Sequence, residues 1–363
     1  MNIAAWILGL AAGAVFVLVV AVWFYAASLR RFRIDLFYAL HERVPTGDGS
    51  HVEIRRLPSA ETPHPGRPPV LLVHGLGFNH RNQDLTEELS LGRYLARAGR
   101  DVWLLTLRSG REDLSFAEER RCTFDQMARE DLPRGIEAVR QRTGGGPLDY
   151  VGFSMGGMLL YAALGTTVPS DALRRVAIVG SPAVIRPPLR SLAKVARAIP
   201  GFIIPTLRLR LVSNFMAFGA EMIRTPVHHW IYNPANVDGG VAGHALVNGF
   251  VNIPAGLAAE FVTWAGNGSP VTFAGVPVTT SLQKVTPPAL FIAGRSDHLA
   301  PPEAVQLAFE AWGKDGKVEK AFTVASIEAG AAANYGHGDL VLGREAAKDV
   351  FEPVRRWLDE LAA

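Results

Sequence analysis

The sequence contains little cysteine and little excess charge. Cys122 is the single cysteine in 363 residues, which excludes an intramolecular disulfide and a metal site built from several thiolates. Lysine and arginine number 37 against 34 aspartates and glutamates, and a net charge of +3 gives no indication of nucleic-acid binding. An H-E-x-x-H zinc motif, a P-loop and a dinucleotide-binding glycine fingerprint are also missing. The sequence therefore predicts no cofactor, no metal ion and no nucleic-acid partner.

One long hydrophobic run lies at the N-terminus. The 25 residues from Ile3 to Ala27 include no charged side chain. A helix of this length spans roughly 37 Å, more than the ~30 Å of a bilayer's hydrocarbon core. Trp6 lies near one end, and Trp23 and Tyr25 lie near the other, where interfacial aromatic residues are common. We therefore predict that residues 1–28 form a single-pass transmembrane anchor.

A cleaved signal peptide is the alternative to an anchor. Such peptides usually carry a basic segment followed by a shorter apolar core of about 7–15 residues. Here Met1 and Asn2 precede the run, and the run is longer, so the anchor is favoured. Arg30, Arg31 and Arg33 follow it directly, and the positive-inside rule then predicts that the remaining chain lies on the cytoplasmic side of the membrane.

Beyond the anchor, short apolar runs alternate with segments of helical periodicity. The predicted strands are His51–Leu57, Val70–Val73, Asp101–Leu107, Tyr150–Phe153, Arg175–Gly180, Pro288–Ala293 and Val318–Ala325. The predicted helices are Asp84–Ala98, Thr123–Thr143, Gly156–Leu164, Pro302–Trp312 and Glu345–Leu361. This alternation predicts an α/β fold with a mostly parallel sheet and helices on both of its faces.

The alternation stops between Ser181 and Val285. These roughly one hundred residues are too many for a structureless loop in a compact domain, so we predict an inserted helical cap at 181–285 between core segments 29–180 and 286–363. From Val184 to Arg224, basic and apolar residues interleave, which is typical of a membrane-surface element. The alternative is a cap that packs its apolar side on the core and exposes its arginines. The basic residues are Arg186, Arg190, Lys194, Arg197, Arg208, Arg210 and Arg224.

A serine motif provides the candidate nucleophile. The sequence GFSMG at 152–156 matches G-x-S-x-G, and it lies between a predicted strand and a predicted helix, as a nucleophile elbow requires. The hydroxyl of Ser154 needs a base to remove its proton. His337 is the candidate, because its loop lies between the last predicted strand and the last predicted helix and has glycines on both sides.

The base in turn needs an acid that fixes its tautomer. Asp297 follows the predicted strand that ends at Ala293, and catalytic groups of open α/β sheets gather at the ends of parallel strands. Asp339 is the rival, although it lies only two residues from His337 and would have difficulty reaching the far ring nitrogen. The order Ser154, Asp297, His337 is the nucleophile–acid–base order known for one class of hydrolases.

An ester-cleaving serine also needs donors for the negative charge that develops on the carbonyl oxygen. One candidate is the backbone N–H of Met155, directly after the serine. The other is the backbone N–H of Leu76, in a loop where Gly75 and Gly77 permit close approach. We expect His74 to brace this loop.

Four ordered segments carry a resemblance to a known superfamily. VLLVHGLGFNHRN, YVGFSMGGM, LFIAGRSDHLAPP and YGHGDLVLG match the oxyanion loop, the elbow, the acid turn and the histidine loop of α/β-hydrolases. Over residues 50–363 the chain resembles that superfamily, and most of all its acid-lipase and polyhydroxyalkanoate-synthase-like branches. The synthases have cysteine where this chain has Ser154, which favours hydrolysis.

This resemblance implies a serine hydrolase that cleaves carboxylic esters, in particular lipid-like acyl esters. The predicted partners are a small-molecule or lipid ester as substrate and the membrane bilayer. Two alternatives remain open from the sequence. One is an acyltransferase or polyester-synthase-like enzyme that uses the same three residues. The other is a non-catalytic binding protein on a hydrolase scaffold. The sequence gives no indication of the oligomeric state.

Overall fold

The computed structural model describes residues 3–59, 64, 66–186, 200–220 and 231–360. Two parts of the predicted cap, residues 187–199 and 221–230, therefore lie outside the described residues. Four basic residues of the predicted membrane-surface element fall in those parts, namely Arg190, Lys194, Arg197 and Arg224.

The described chain contains ten strands: β1 Leu40–Pro45, β2 His51–Arg56, β3 Val70–Val73, β4 Val102–Thr106, β5 Leu148–Phe153, β6 Leu173–Val179, β7 Thr272–Phe273, β8 Val276–Pro277, β9 Ala289–Gly294 and β10 Lys320–Ala325. Eight of them form one sheet in the order β1-β2-β4-β3-β5-β6-β9-β10. The strand β2 runs antiparallel to β1 and β4, and all the other pairs of this sheet are parallel, which confirms the predicted mostly parallel sheet. The strands β7 and β8 form a separate small hairpin.

Helices cover both faces of the sheet. In the described residues they are α1 Ile3–Phe32, α2 Leu91–Arg97, α3 Phe116–Arg121, α4 Phe124–Gln126, α5 Leu132–Arg142, α6 Met155–Ala163, α7 Leu209–Ala217, α8 Gly239–Asn248, α9 Ala255–Asn267, α10 Val278–Ser281, α11 Pro302–Ala311, α12 Asp339–Leu342 and α13 Glu352–Asp359. Leu71 and Val73 of β3 pack with residues of α5, α6 and α11, whereas Val70 and Leu72 pack on the opposite face with residues of α2, α12 and α13. Turns of π-helix join α4 to α5 and lead into α13.

The central strands form because their residues are mostly apolar; the polar exceptions are Thr106 in β4 and Asp149 in β5, and Asp149 is paired with Arg100 and Arg174. Every residue of β3, β4, β5 and β9 is buried, as expected for strands covered on both faces. The edge strand β1 was not predicted, because its side chains are mostly exposed or half-buried and it contains charged residues. It forms by pairing with β2 along its whole length, from Leu40 opposite Arg56 to Pro45 opposite His51.

The predicted helix Asp84–Ala98 is wrong in its first half, because α2 begins only at Leu91. Asp84 is fully buried, and its Oδ1 accepts hydrogen bonds from Ser90 Oγ at 2.8 Å and Arg93 Nε at 2.7 Å. Ser90 also caps α2 by accepting a hydrogen bond from the backbone N–H of Arg93. These polar contacts hold the segment before Leu91 in a non-helical conformation, which the spacing of its leucines does not predict.

The long apolar helix α1 continues to Phe32, beyond the predicted end at residue 28. Within Trp6–Phe32 an 18-residue window has a mean hydropathy of 2.7, and by length and composition the helix could cross a membrane. Its C-terminal part packs on the insert, the name used here for residues 180–288 between β6 and β9. The rings of Phe24 and Phe218 meet edge to face at 4.8 Å, and Asn214 Nδ2 donates a hydrogen bond to Tyr25 Oη at 3.3 Å.

Candidate active site

Ser154 lies in the sharp turn between β5 and α6. Its φ of 52° and ψ of −118° belong to a region that non-glycine residues rarely adopt. The turn brings α6 so close to the sheet that a Cβ on Gly152 would lie 2.6 Å from the nitrogen of Gly157, and a Cβ on Gly156 would overlap the carbonyl oxygen of Val73. Glycine at 152 and 156 is therefore a steric requirement of the turn that presents the Ser154 hydroxyl.

Three predicted side chains form a continuous hydrogen-bonded chain. Ser154 Oγ lies 2.9 Å from His337 Nε2, and His337 Nδ1 lies 2.7 Å from Asp297 Oδ2. Because a carboxylate only accepts, the contact with Asp297 assigns the proton to Nδ1 and leaves Nε2 free to accept from the serine hydroxyl. His337 and Asp297 are both buried, so little water competes for these bonds.

Asp297 is held in place by the backbone that follows it. Its Oδ1 accepts hydrogen bonds from the N–H groups of Leu299 at 2.8 Å and Ala300 at 2.7 Å, so that Oδ2 faces the imidazole. Arg295 and His298 are exposed, and the Arg295 side chain lies 4.0 Å from Glu328. The turn after β9 thus orients the carboxylate through backbone amides.

The rival carboxylate, Asp339, has different partners. Its Oδ1 accepts a hydrogen bond from the backbone N–H of Asn233 at 3.2 Å, and its Oδ2 accepts one from Asn236 Nδ2 at 2.9 Å. Burial raises the pKa of Asp339. In the same region the backbone N–H of Gly338 donates to the carbonyl oxygen of Ile231 at 2.6 Å. Asp339 therefore connects the histidine loop to the insert.

The two predicted oxyanion donors lie in segments that approach each other at Ser154. Met155 is the first residue of α6, so its N–H is one of the helix-terminal amides without an intrahelical acceptor. Leu76 follows Gly75, where a Cβ would lie 3.1 Å from the Cβ of Ser154 and 3.1 Å from the Phe153 ring. A side chain at Gly75 would thus push the Leu76 loop away from the serine.

His74 bridges the Leu76 loop and the chain after β4. Its Nδ1 lies 2.9 Å from the carbonyl oxygen of Gly75, and its Nε2 accepts a hydrogen bond from the backbone N–H of Leu107 at 3.1 Å. Complete burial lowers the pKa of His74 to about 4. The ring is therefore neutral at pH 7, and each nitrogen contacts one backbone group.

Two neighbours of His337 were not predicted from the sequence. The ring centroid of Phe153 lies 5.0 Å from that of His337, and a Cβ on Gly180 would lie 3.4 Å from His337 Cε1. Phe153 occupies a variable position of the serine motif, and Gly180 follows β6, so neither carries a sequence signal for contact with a loop more than 150 residues away. Among the described residues, no group of three histidine, cysteine, aspartate or glutamate side chains could hold a metal ion.

The family model for the alpha/beta hydrolase fold matches residues 68–337. The chain belongs to this family. The matched range contains Ser154, Asp297 and His337, and the sheet order and the strand–serine–helix turn described above agree with the assignment.

Lipases and an esterase are among the similar proteins. Gastric triacylglycerol lipase from Bos taurus is 36% identical over 137 residues, which cover 34% of this chain and 34% of the lipase. Human lysosomal acid lipase/cholesteryl ester hydrolase is 33% identical over 143 residues, 36% of this chain and 35% of that protein. The chain thus spans about a third of the length of these relatives. A thermophilic esterase from Thermogutta terrifontis shares the fold with a TM-score of 0.53 and 17% identity, over 88% of this chain and 98% of the esterase.

Proposed function

We propose that the protein is a membrane-anchored serine hydrolase that cleaves carboxylic esters, in particular lipid-like acyl esters, through an acyl-enzyme. The observation that carries the proposal is the pair of hydrogen bonds of His337, 2.9 Å to Ser154 and 2.7 Å to Asp297. The partial matches to triacylglycerol and cholesteryl ester lipases favour an acyl ester over other hydrolase substrates.

In the proposed reaction Ser154 Oγ attacks the carbonyl carbon of the ester while His337 Nε2 takes the hydroxyl proton. The tetrahedral intermediate then collapses, and the departing alcohol takes that proton from His337. Water attacks the acyl-enzyme next and gives a proton to the same nitrogen. The carboxylic acid leaves as the proton returns to Ser154 Oγ. Asp297 keeps the imidazole oriented and stabilises its charged form throughout.

We further propose that the N–H groups of Leu76 and Met155 bind the oxyanion. Such donors act most strongly when charge develops on the carbonyl oxygen, so they lower the barrier more than they tighten substrate binding. The close approach of Gly75 to Ser154 supports this role, because it brings the Leu76 loop beside the nucleophile.

The membrane part of the proposal depends on α1 and α7. Leu211 and Val212 of α7 are 63% and 54% exposed, and Phe215 and Met216 are also exposed. Because α7 packs against the C-terminal part of α1, an anchored α1 would bring this apolar surface to the bilayer. We propose that it contacts lipid and that the insert acts as a cap above the site.

The arginines of the insert provide less support for membrane contact than its apolar residues. Arg186, Arg208 and Arg210 each face a carboxylate of the same chain; the partners are Glu303, Glu119 and Glu112 respectively. Their charge is therefore partly compensated before any lipid headgroup approaches. The apolar surface of α7, with α1 beside it, is the better candidate for the contact.

The test of the reaction is active-site labelling with a fluorophosphonate, followed by turnover of p-nitrophenyl esters of graded chain length, with the full chain in detergent. Wild type should be labelled once and should hydrolyse the esters, and Ser154→Ala should lose both properties at unchanged melting temperature. Ser281→Ala is the matched control, because the Ser281 side chain makes no cap hydrogen bond. Wild-type turnover by Ser154→Ala would refute the mechanism. Ester formation with an added alcohol in preference to hydrolysis would favour the acyltransferase alternative.

The cytoplasmic position of the hydrolase domain remains a prediction from Arg30, Arg31 and Arg33. Protease added to intact spheroplasts should leave the domain uncut, and it should digest the domain once the membrane is permeabilised. Digestion in intact spheroplasts would reverse the assignment without affecting the chemistry at Ser154.

A further inference from the structure

Asn248, the last residue of α8, contacts two separate parts of the chain. Its Nδ2 donates a hydrogen bond to the carbonyl oxygen of Phe32 at 2.8 Å, and its Oδ1 accepts one from the backbone N–H of Ile34 at 2.9 Å. Its own carbonyl oxygen accepts a hydrogen bond from Asn79 Nδ2 at 3.0 Å. A single residue of the insert therefore connects the end of α1 with the loop that follows β3.

The end of α1 fits closely against α8. As the last residue of a helix, Phe32 has a carbonyl oxygen without an intrahelical partner, and His244 Nδ1 lies 2.7 Å from it in addition to Asn248. The Phe32 ring is buried against Gly243, where a Cβ would lie 2.5 Å from the ring. Asn248 therefore holds a helix end whose position is already defined by packing.

From Asn248 the contacts continue to the proposed oxyanion donor. The N–H of Asn79 donates to the carbonyl oxygen of Gly249 at 3.0 Å, and the N–H of Val251 donates to the carbonyl oxygen of Gly77 at 2.9 Å. Between these two bonds the rings of Phe78 and Phe250 lie 4.2 Å apart. The loop residues 77–79 thus lie alongside residues 249–251 of the insert, and Leu76 directly precedes them.

We propose that Asn248 is a positioning residue for ester hydrolysis, which holds the Leu76 N–H at its place beside Ser154 by connecting the oxyanion loop to the end of α1. The inference rests on the proposed function, because it requires Leu76 to act as an oxyanion donor. It adds a role for α1 besides anchoring, since the backbone of Phe32 and Ile34 becomes part of the support of the site.

The physical reason is that oxyanion donors are sensitive to small displacements. Removing one donor outright typically lowers kcat by roughly 10²–10³-fold, and a shift of about 1 Å in a catalytic geometry has cost about 10²-fold in rate. A loosened Leu76 loop should therefore reduce kcat by about 10- to 100-fold. It should leave KM nearly unchanged, because the ground-state ester gains little from these donors.

Three variants of the full chain, assayed in detergent micelles with a short-chain p-nitrophenyl ester, test the inference. Asn248→Ala removes the side-chain bonds to Phe32 and Ile34. Asn79→Ser removes the Nδ2 donor to Asn248 but keeps a side-chain oxygen for the backbone N–H of Arg81, which Asn79 Oδ1 now accepts at 2.8 Å. Asn214→Ala is the matched control, because it removes the hydrogen bond between the insert and Tyr25 without contacting the oxyanion loop.

The expected result is a fall in kcat of about 10- to 100-fold for Asn248→Ala and for Asn79→Ser, with KM within about twofold of wild type. The affinity for an alkylboronic acid, which mimics the tetrahedral intermediate, should fall in parallel. Asn214→Ala should keep wild-type kcat. Rates are divided by the amount of protein that a fluorophosphonate labels, so that unfolded material does not contribute, and Asn248→Asp replaces Asn248→Ala if the latter does not fold.

Wild-type kcat in both variants would overturn the inference. So would an increase in KM at constant kcat, or an equal loss in Asn214→Ala, since either result indicates a general loosening of the insert. The failure of the proposed function is recognised separately: Ser154→Ala would then retain turnover. An inactive Ser154→Ala together with fully active Asn248→Ala and Asn79→Ser would refute only the role of Asn248.

Discussion

At the scale of single residues, Ser154 retains an unfavourable backbone conformation because its neighbours fix both sides of it. A residue in such a φ/ψ region costs about 1–3 kcal/mol. Its N–H donates to the carbonyl oxygen of Val179 at 2.9 Å, and its own carbonyl oxygen accepts from the N–H of Gly157 at 3.1 Å. These bonds belong to the sheet and to α6, so relaxing the serine would disturb two elements. The strain therefore persists, and the hydroxyl remains directed at His337.

The choice of acid is tested by comparing two isosteric variants. In Asp297→Asn the amide could present its N–H to His337 Nδ1 and stabilise the wrong tautomer, so kcat should fall by about 10⁴-fold. Asp339→Asn should change kcat by less than about tenfold, because the Asp339 carboxylate contacts Asn233 and Asn236 in place of the imidazole. Steady-state kinetics on both purified variants checks this. The reverse ranking would transfer the acid to Asp339.

The buried ring of His74 should make stability depend on pH. Its pKa is about 4 in the folded protein and about 6.5 in an unfolded chain, so between these values the unfolded state binds more protons. The contribution of His74 is thus fully present above pH 6.5 and is lost as the pH falls towards 4, by about 3 kcal/mol in total. His80, whose pKa burial lowers well below its usual value, acts in the same direction.

Urea unfolding of wild type and His74→Gln between pH 4 and pH 7.5 measures this contribution. Burial raises the pKa of Asp131 to about 6 and that of Glu260 to about 7, so these two carboxyl groups destabilise the folded protein as the pH rises. The stability of the wild type therefore contains opposing effects of pH. The difference between the two proteins isolates His74. The difference between the free energies of unfolding of wild type and His74→Gln should shrink as the pH falls below 6.5, because the variant lacks the titrating group. A pH-independent difference would contradict the assigned pKa.

At the scale of elements, the sequence predicts well the segments whose environment is uniform. β3, β4, β5 and β9 are buried on both faces, and their predominantly apolar sequences indicate this, although β5 also buries the charged Asp149. The order of Ser154, Asp297 and His337 along the chain predicted their meeting, because each follows a parallel strand. β1 was not predicted because it forms by pairing with β2 and not through an apolar pattern of its own. The helix was predicted to start too early, at Asp84, because the sequence pattern does not show that Asp84 forms a buried ion pair with Arg93 outside the helix.

The tight packing of α6 on the sheet leads to a prediction about Gly156. Gly156→Ala would bring a methyl group into the carbonyl oxygen of Val73, and relieving that overlap should cost at least about 1–3 kcal/mol. It should also move the segment before Leu76 away from Ser154 and lower kcat. Gly146→Ala is the control, since nothing lies within 4 Å of its Cβ position. Thermal melts and ester turnover check both variants, and equal behaviour of the two would contradict the close approach.

At the scale of the whole molecule, the insert connects parts that are remote in sequence. It contacts the oxyanion loop through Val251, the histidine loop through Ile231, and α1 through Asn248. Sequence patterns do not predict such contacts, because backbone carbonyl and amide groups provide most of them and those groups are the same in every residue. Helices in this segment could be predicted from its length, whereas its hydrogen bonds to the loops around Ser154 follow only from the fold.

The apolar surface of α7 leads to a prediction that separates chemistry from access to lipid. Leu211 and Val212 are the most exposed apolar residues of that helix, and their loss should reduce the free energy of bilayer contact by about 2 kcal/mol or more. The double variant Leu211→Ser, Val212→Ser should therefore hydrolyse a phospholipid in vesicles about 30-fold more slowly, provided that contact of the insert with lipid limits turnover. Its kcat/KM for a soluble short-chain ester should equal that of wild type, because both side chains are more than half exposed and α7 carries none of the proposed catalytic residues.

Ile327→Ser is the control for a general effect of surface polarity, since Ile327 is 62% exposed and lies outside the insert. It should behave as wild type on both substrates. The measurement is release of fatty acid from vesicles that carry equal amounts of reconstituted protein, with p-nitrophenyl butyrate as the soluble ester. Under the proposed anchoring by α1 every variant stays on the bilayer, so a difference between the two substrates reports how the insert contacts lipid and not how much protein is bound. Equal vesicle rates for the double variant and wild type would mean that substrate reaches Ser154 without contact between α7 and the membrane.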